Sequence, residues 1–182
     1  MAARLPIHSI GHSTLAIADF LDRLAAADIG CVIDVRALPG SQRYPQFDQD
    51  ALRETLAGHR IDYVHCRDLG GRRGRQPGIA EAVNGAWDNP SFHHYADWAL
   101  LAPFAAALAA VRERSQHQRC AIMCAESLWW RCHRRIIADH LLAAGEDVRH
   151  IMTTSIQPAR LHPAARIDGA GRLTYPRQPG PI

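Results

Sequence analysis

Cys120-Ala121-Ile122-Met123-Cys124, the Ala125-Glu126 that follows, and Cys132-His133-Arg134 opening a run with Ile136, Ile137, Leu141 and Leu142 at helical spacing together decide the fold. Five apolar residues in a row read as a strand buried on both faces. The helical run ends at Gly145, a residue suited to a helix C-terminus. Val148 to Met152 then reads as another strand, so strand, turn, helix and strand form one crossover unit.

The same unit recurs upstream. Ile7 to Ile10 reads as a strand ending in Gly11-His12-Ser13. A helix follows, with Ser13 or Thr14 as its cap, Leu15, Phe20, Leu21 and Leu24 facing inward, and Gly30 just beyond its end. Cys31 to Val35 reads as a buried strand, and Leu38-Pro39-Gly40-Ser41 forces a turn. Asp48 is placed to cap a helix to about Gly58, and Ile61 to His65 reads as a third strand. Ser91 is placed to cap a helix to about Leu101, and Pro103 suits the first turn of another that reaches about Arg114. The expectation is an α/β fold: an open, mostly parallel sheet of about five strands with helices on both faces, spanning residues 1–152. Residues 153–182 lose periodicity and read as an irregular extension packed on the same domain, with a short strand at Leu173-Thr174-Tyr175.

Composition narrows the class. A chain of 182 residues suits one domain, and 47% hydrophobic with 21% charged residues excludes a coiled coil, a fibrous chain or a disordered one. No apolar run reaches the roughly 18 residues of a membrane span, since Pro103 interrupts the longest, and no secretory leader precedes the first strand. The expectation is a cytoplasmic protein with no membrane partner. Five cysteines without repeated spacing do not describe a disulfide framework. All 21 basic residues are arginine, yet 18 acidic residues interleave with them and the net charge is only +3, which gives weak support to a nucleic-acid partner.

Ligands of an open parallel sheet bind beyond the carboxyl ends of its strands, where helix N-termini converge. Those ends hold Gly11-His12-Ser13, Asp34 and Arg36, Leu69-Gly70-Gly71, and Cys124 with Glu126, joined by Cys132-His133-Arg134. Cys124 is a candidate thiolate at a strand end, or a small core residue like Cys31 and Cys120. Cys132 near a helix start would have a lowered pKa, with His133 as base and Arg134 as anion clamp. Successive helical side chains lie about 100° apart, so at most two of the three are expected to face the cleft. Arg135 and Asp139 read as an exposed i, i+4 pair. His12 is a general base, or is satisfied by a backbone carbonyl. Asp34 and Arg36 point to the same side of their strand, either as a bridge or as a catalytic pair. The loop from Gly70 to Arg75 would close over a phosphate as a basic lid, or is a solvated turn.

With Ser9-Ile10-Gly11-His12-Ser13, Asp34-Val35-Arg36, Leu69-Gly70-Gly71, Cys124-Ala125-Glu126 and Cys132-His133-Arg134 in this order, the chain resembles the bacterial and archaeal family known as domain of unknown function 488. The resemblance covers residues 7 to about 152 and implies an α/β domain with its site at those motifs. Ile33-Asp34-Val35-Arg36 is also similar to the Asp-Val-Arg strand of rhodanese-like domains, in which a cysteine after a later strand carries sulfur. Here six residues, including Trp129-Trp130, separate Cys124 from Arg131, so that similarity is one of fold and not of mechanism.

Three functions follow as expectations. The first is a thiol-dependent transferase or hydrolase without an organic cofactor. Cys124 or Cys132 is its nucleophile, Glu126 or His133 assists, and His12, Ser13, Asp34, Arg36, Gly70, Gly71 and Arg134 hold an anionic small molecule or nucleotide-like substrate. The second is a zinc or iron site built from Cys124, Glu126, Cys132 and His133, with His12. The third is an arginine-rich nucleic-acid module stacking bases on Trp87, Phe92, Tyr95 and Trp98.

Overall fold

Alternation along each strand divides the side chains into two layers. Ile7, Cys31, Ile33, Cys120, Ile122 and Cys124 join one buried cluster, while Ile10, Val32, Ala121 and Met123 join another on the opposite face. The computed structural model describes residues 4–177. The two ends of the expected chain, 1–3 and 178–182, lie outside them.

The parallel strands are β1 (Ile7–Gly11), β2 (Cys31–Asp34), β3 (Asp62–His65), β4 (Cys120–Cys124) and β5 (Val148–Ile151). Helices α1 (Ile17–Ala26) and α2 (Gln49–Gly58) cover one face, burying Phe20, Leu24, Leu52 and Leu56 against it. Helices α3 (Pro90–Trp98), α4 (Ala102–Ser115) and α5 (Arg134–Ala143) contribute Tyr95, Phe104, Leu108, Ile136 and Leu141 to the other. The sheet has six strands and not five, in the order β3-β2-β4-β1-β5-β6. The sixth, β6 (Ile156–Pro158), pairs antiparallel with β5. Its side chains are exposed, so it carries no apolar periodicity that a sequence reading could detect.

The caps depart from expectation. Ser13 lies in the left-handed region at φ 45°, and α1 starts later, after Ala16, with no side-chain cap. Asp48 precedes α2, but its Oδ1 accepts from the Ser41 N–H at 3.1 Å and so closes the preceding turn. Asn89, not Ser91, caps α3 and accepts from the Ser91 N–H, with Pro90 in the first turn.

The C-terminal extension is tied to α5 by polar groups. Tyr175 is fully buried next to β8 (Leu173–Thr174), which pairs with β7 (Arg166–Ile167). Its hydroxyl donates to Asp139 Oδ2 at 2.8 Å, and the His162 N–H donates to Asp139 Oδ1 at 3.0 Å. Asp139 is thus a buried anchor for the extension and makes no direct ion pair with Arg135, whose guanidinium lies against the rings of Trp87 and Trp129. No single helix among the described residues is long and apolar enough to cross a membrane.

Replacing Tyr175 by Phe leaves the buried Asp139 carboxylate short of a donor. The expected cost is about 1–3 kcal/mol, read as a lower urea midpoint with an unchanged slope.

Candidate active site

The carboxyl ends of β1, β2 and β4 converge, and strand parity sorts the candidate residues into two groups. Asp34 and His12 fall on the α1/α2 face. Cys124 falls on the face covered by α5.

On the first face Asp34 is fully buried and fully satisfied. Its carboxylate accepts from Arg36 Nε at 2.9 Å, Arg36 Nη2 at 2.7 Å, the Arg36 backbone N–H at 3.0 Å and the Tyr63 hydroxyl at 2.6 Å. Arg36 Nη1 donates to the Phe47 carbonyl at 2.8 Å. Both side chains are committed to each other, and Arg36 also lines the cavities on either side of it. His12 stacks on Phe47 with ring centroids 4.2 Å apart, and its Nδ1 donates to the Ser13 carbonyl at 2.9 Å. Burial holds His12 near pKa 4, the Arg36 charge adding to the effect, so it stays neutral at pH 7. A cavity of 280 Å³ opens beside this group, lined by His12, Ser13, Tyr44 and Glu126 among others.

The second face carries the thiols. Cys124 Sγ and Cys132 Sγ lie 2.8 Å apart, both buried. Arg134 is 99% buried and reaches between them and the sheet. Its Nε donates to Cys124 Sγ at 3.2 Å, its Nη1 to Ser9 Oγ at 3.4 Å and its Nη2 to the Glu126 carbonyl, while its backbone N–H points to Cys132 Sγ at 3.5 Å. Ser9 Oγ in turn bonds His150 Nδ1 at 2.7 Å, and His150 stacks on Trp129 at 4.2 Å. Arg134 is therefore held by internal partners on three sides.

Two residues of the triplet, Cys132 and His133, line a cavity, while Arg134 turns inward to internal hydrogen bonds, the division expected, although it arises otherwise than from helical spacing. The 100° spacing does not apply, because Cys132 is extended at φ −129°, His133 is the residue before the helix, and only Arg134 belongs to α5. His133 Nε2 donates to the Val35 carbonyl at 2.9 Å, which leaves Nδ1 facing Cys132 Sγ at 3.5 Å. Gly71 lies against this ring, since a Cβ there would sit 3.0 Å from His133 Nδ1. Gly70 is as tightly held, its absent Cβ 2.9 Å from the Arg67 carbonyl. The Leu69-Gly70-Gly71 motif is thus a wall that fits the imidazole. Gly11 fits the turn after β4, because a Cβ there would meet the Glu126 carbonyl at 1.9 Å.

The two thiols are pushed in opposite directions. Burial alone would push Cys132 up, but the hydrogen bond from Cys124 and the positive groups of His133 and Arg134 outweigh it and hold Cys132 below the ordinary thiol range. Burial and the neighbouring Cys132 sulfur push Cys124 up. The surroundings thus favour the charged form at Cys132 and the neutral form at Cys124.

Cys124, Cys132 and His133 line a cavity of 470 Å³ with Phe92, Arg72 and Arg131. Arg72 and Arg131 are exposed and form no ion pair among the described residues, which makes them the available cations at the thiols. Arg72 sits in the left-handed region at φ 59°, directly after Gly71. Arg72 belongs to the loop from Gly70 to Arg75 expected as a basic lid, whereas Arg131 carries no signal of its own until its neighbours are known. Glu126 also lines the cavity, but its carboxylate accepts from the Leu128 N–H at 3.1 Å and closes its own turn. A larger cavity of 660 Å³, lined by His93, Asp97, Glu81 and Arg177, contains no thiol.

Among the described residues, no three His, Cys, Asp or Glu side chains are arranged to hold a metal ion. The aromatic residues expected to stack bases are occupied. Trp87 and Tyr95 are buried, Phe92 stacks on Trp87, and Trp98 is covered by Arg73 at 4.0 Å.

The family model described as domain of unknown function DUF488 matches residues 16–141, well over half of the chain and both thiols. No curated protein and no solved structure matches the chain significantly.

Burial depresses His150 to about 4, helped by the charge of Arg134, as it does His12. A histidine with a folded pKa below its unfolded value contributes stability above about pH 6.5, and that contribution is lost as pH falls toward 4. Asp139, pushed up to about 6 by burial, works in the opposite sense but is one group against three, since burial holds His140 near 4 as well. Urea unfolding is expected to weaken by ~2 kcal/mol or more across this window, and His150→Gln should flatten the profile.

Proposed function

The chain belongs to the domain-of-unknown-function family DUF488, so its chemistry has to be read from its own side chains, and we propose that it is a thiol-dependent transferase or hydrolase acting on an anionic small molecule. Cys132 is the nucleophile. The observation that carries this reading is a buried sulfur at the wall of a 470 Å³ cavity, hydrogen-bonded to a second thiol at 2.8 Å, with the nitrogens of His133 and Arg134 each 3.5 Å away. The Cys132 thiolate attacks the electrophilic centre of the substrate, and the leaving group departs with the proton held by His133 Nδ1. The Val35 carbonyl keeps that nitrogen turned to the sulfur by fixing Nε2–H. Water or an acceptor then releases the group from Cys132, His133 taking back a proton. Arg72 and Arg131 supply the attraction for an anion at the cavity mouth, in place of the two buried arginines.

The test needs no substrate. Alkylation by iodoacetamide, mapped by mass spectrometry against pH, is expected to show Cys132 reacting with a midpoint well below the free-thiol value of about 8.5, and Cys124 inert. His133→Ala should move that midpoint up by about a unit or more. A normal midpoint at Cys132, or faster reaction at Cys124, would falsify the assignment.

Charge selection gives a second check. Arg72→Gln with Arg131→Gln is expected to lower the iodoacetate to iodoacetamide rate ratio at Cys132 about three- to tenfold, with less effect at high salt. An unchanged ratio sinks the anionic substrate class and leaves the nucleophile standing.

A further inference from the structure

A nucleophile needs one sulfur, yet this site holds two at 2.8 Å, within about 1 Å of the ~2.05 Å of a disulfide bond. We propose that Cys132 and Cys124 form a dithiol–disulfide couple, in which a small hydroperoxide oxidises Cys132 and Cys124 resolves the product. The inference rests on the reading of Cys132 as the thiolate of the site, and adds a modification that switches that site off.

The placement of the two residues favours closure. Cys124 ends a strand held by neighbours on both sides, β1 and β2. Cys132 lies in an extended step between a short turn at Trp129–Arg131 and α5, so the movement needed is local to that connector. The cavity brings a small oxidant to Cys132, which is 6% exposed, and no other protein group stands between the sulfurs.

The chemistry balances with one oxidant. The Cys132 thiolate attacks the terminal oxygen of the hydroperoxide, the O–O bond breaks, and the alkoxide leaves as the alcohol with the proton from His133. Cys132 is thereby oxidised by two electrons to a sulfenic acid. The Cys124 sulfur then attacks Cys132 Sγ, an S–S bond forms, the S–O bond breaks, and the hydroxyl leaves as water with the Cys124 proton. Two equivalents of an external thiol return the pair to its reduced state. Oxidation removes the negative charge beside Arg134, which keeps only the Ser9 and Glu126 oxygens as partners. The reduced form is thus favoured by the buried cation.

A second pair makes mapping necessary. Cys31 and Cys120 are register partners on β2 and β4 and are fully buried. The full-length chain is treated with hydrogen peroxide, then alkylated and mapped by mass spectrometry. The expected result is loss of two hydrogens in a Cys124–Cys132 cross-link, with Cys132 alkylation falling about tenfold and returning on addition of dithiothreitol. Cys124→Ser is expected to stop at a sulfenic acid trapped by dimedone, and then to over-oxidise to the sulfinic acid. The proposal is overturned if wild-type Cys132 proceeds to the sulfinic acid without a cross-link, if it resists peroxide while still alkylating as a thiolate, or if the cross-link joins Cys31 to Cys120. Failure of Cys132 to alkylate as a thiolate before any peroxide is added would instead strike the nucleophile reading on which this one stands.

Discussion

One buried cation organises the site. Arg134 is withdrawn from water at a cost of several kcal/mol, and only partners fixed in geometry offset that cost. It finds them in a sulfur at the end of β4, the hydroxyl of Ser9 on β1, and a carbonyl in the turn beyond β4. No two of these come from the same secondary-structure element. The guanidinium therefore fixes where α5 begins relative to the two central strands, and with it the position of Cys132. Burial works against its charge, but the adjoining sulfurs hold the proton on it.

A second buried arginine does the corresponding work across the sheet. Arg36 closes on Asp34, which also takes the Tyr63 hydroxyl, so the loop after β2 is pinned to β3. The sheet itself separates the two systems. Residues of one parity along β2 point to α1 and α2, residues of the other parity point to the thiols, and Val35 belongs to the thiol side, where its carbonyl orients His133. Two Asp/Arg or thiol/Arg constellations at one sheet edge thus perform different tasks: one builds the floor of the site and the other tunes a sulfur.

Glycines complete the fit. Where chain must lie on chain, at Gly11 under the Glu126 turn and at Gly71 against His133, a methyl group would displace backbone or the imidazole. These positions explain why glycines adjoin reactive residues in the linear motifs. They are contact points between motifs.

Alternating apolar runs and helical periods were enough to locate the five parallel strands and the helices between them, because burial on both sheet faces writes itself into local composition. The exposed strand β6 left no such trace, and the caps at Asn89 and Ala16 turned on local backbone geometry that residue type alone does not specify. The sequence by itself determined that cysteines, a histidine and arginines would meet at the carboxyl edge of a parallel sheet, since strand direction and chain order leave no other edge for them. Only the tertiary structure decided which of them touch. The register that sets Gly11 beside Cys124, the extended step at Cys132 and the enclosure of Arg134 are contacts between residues far apart in the chain, and no local pattern encodes them. From those contacts come the opposite pull on the two thiols, the pairing of Arg36 and Arg134 with internal partners, and the exposure of Arg72 and Arg131 at the mouth of the cavity.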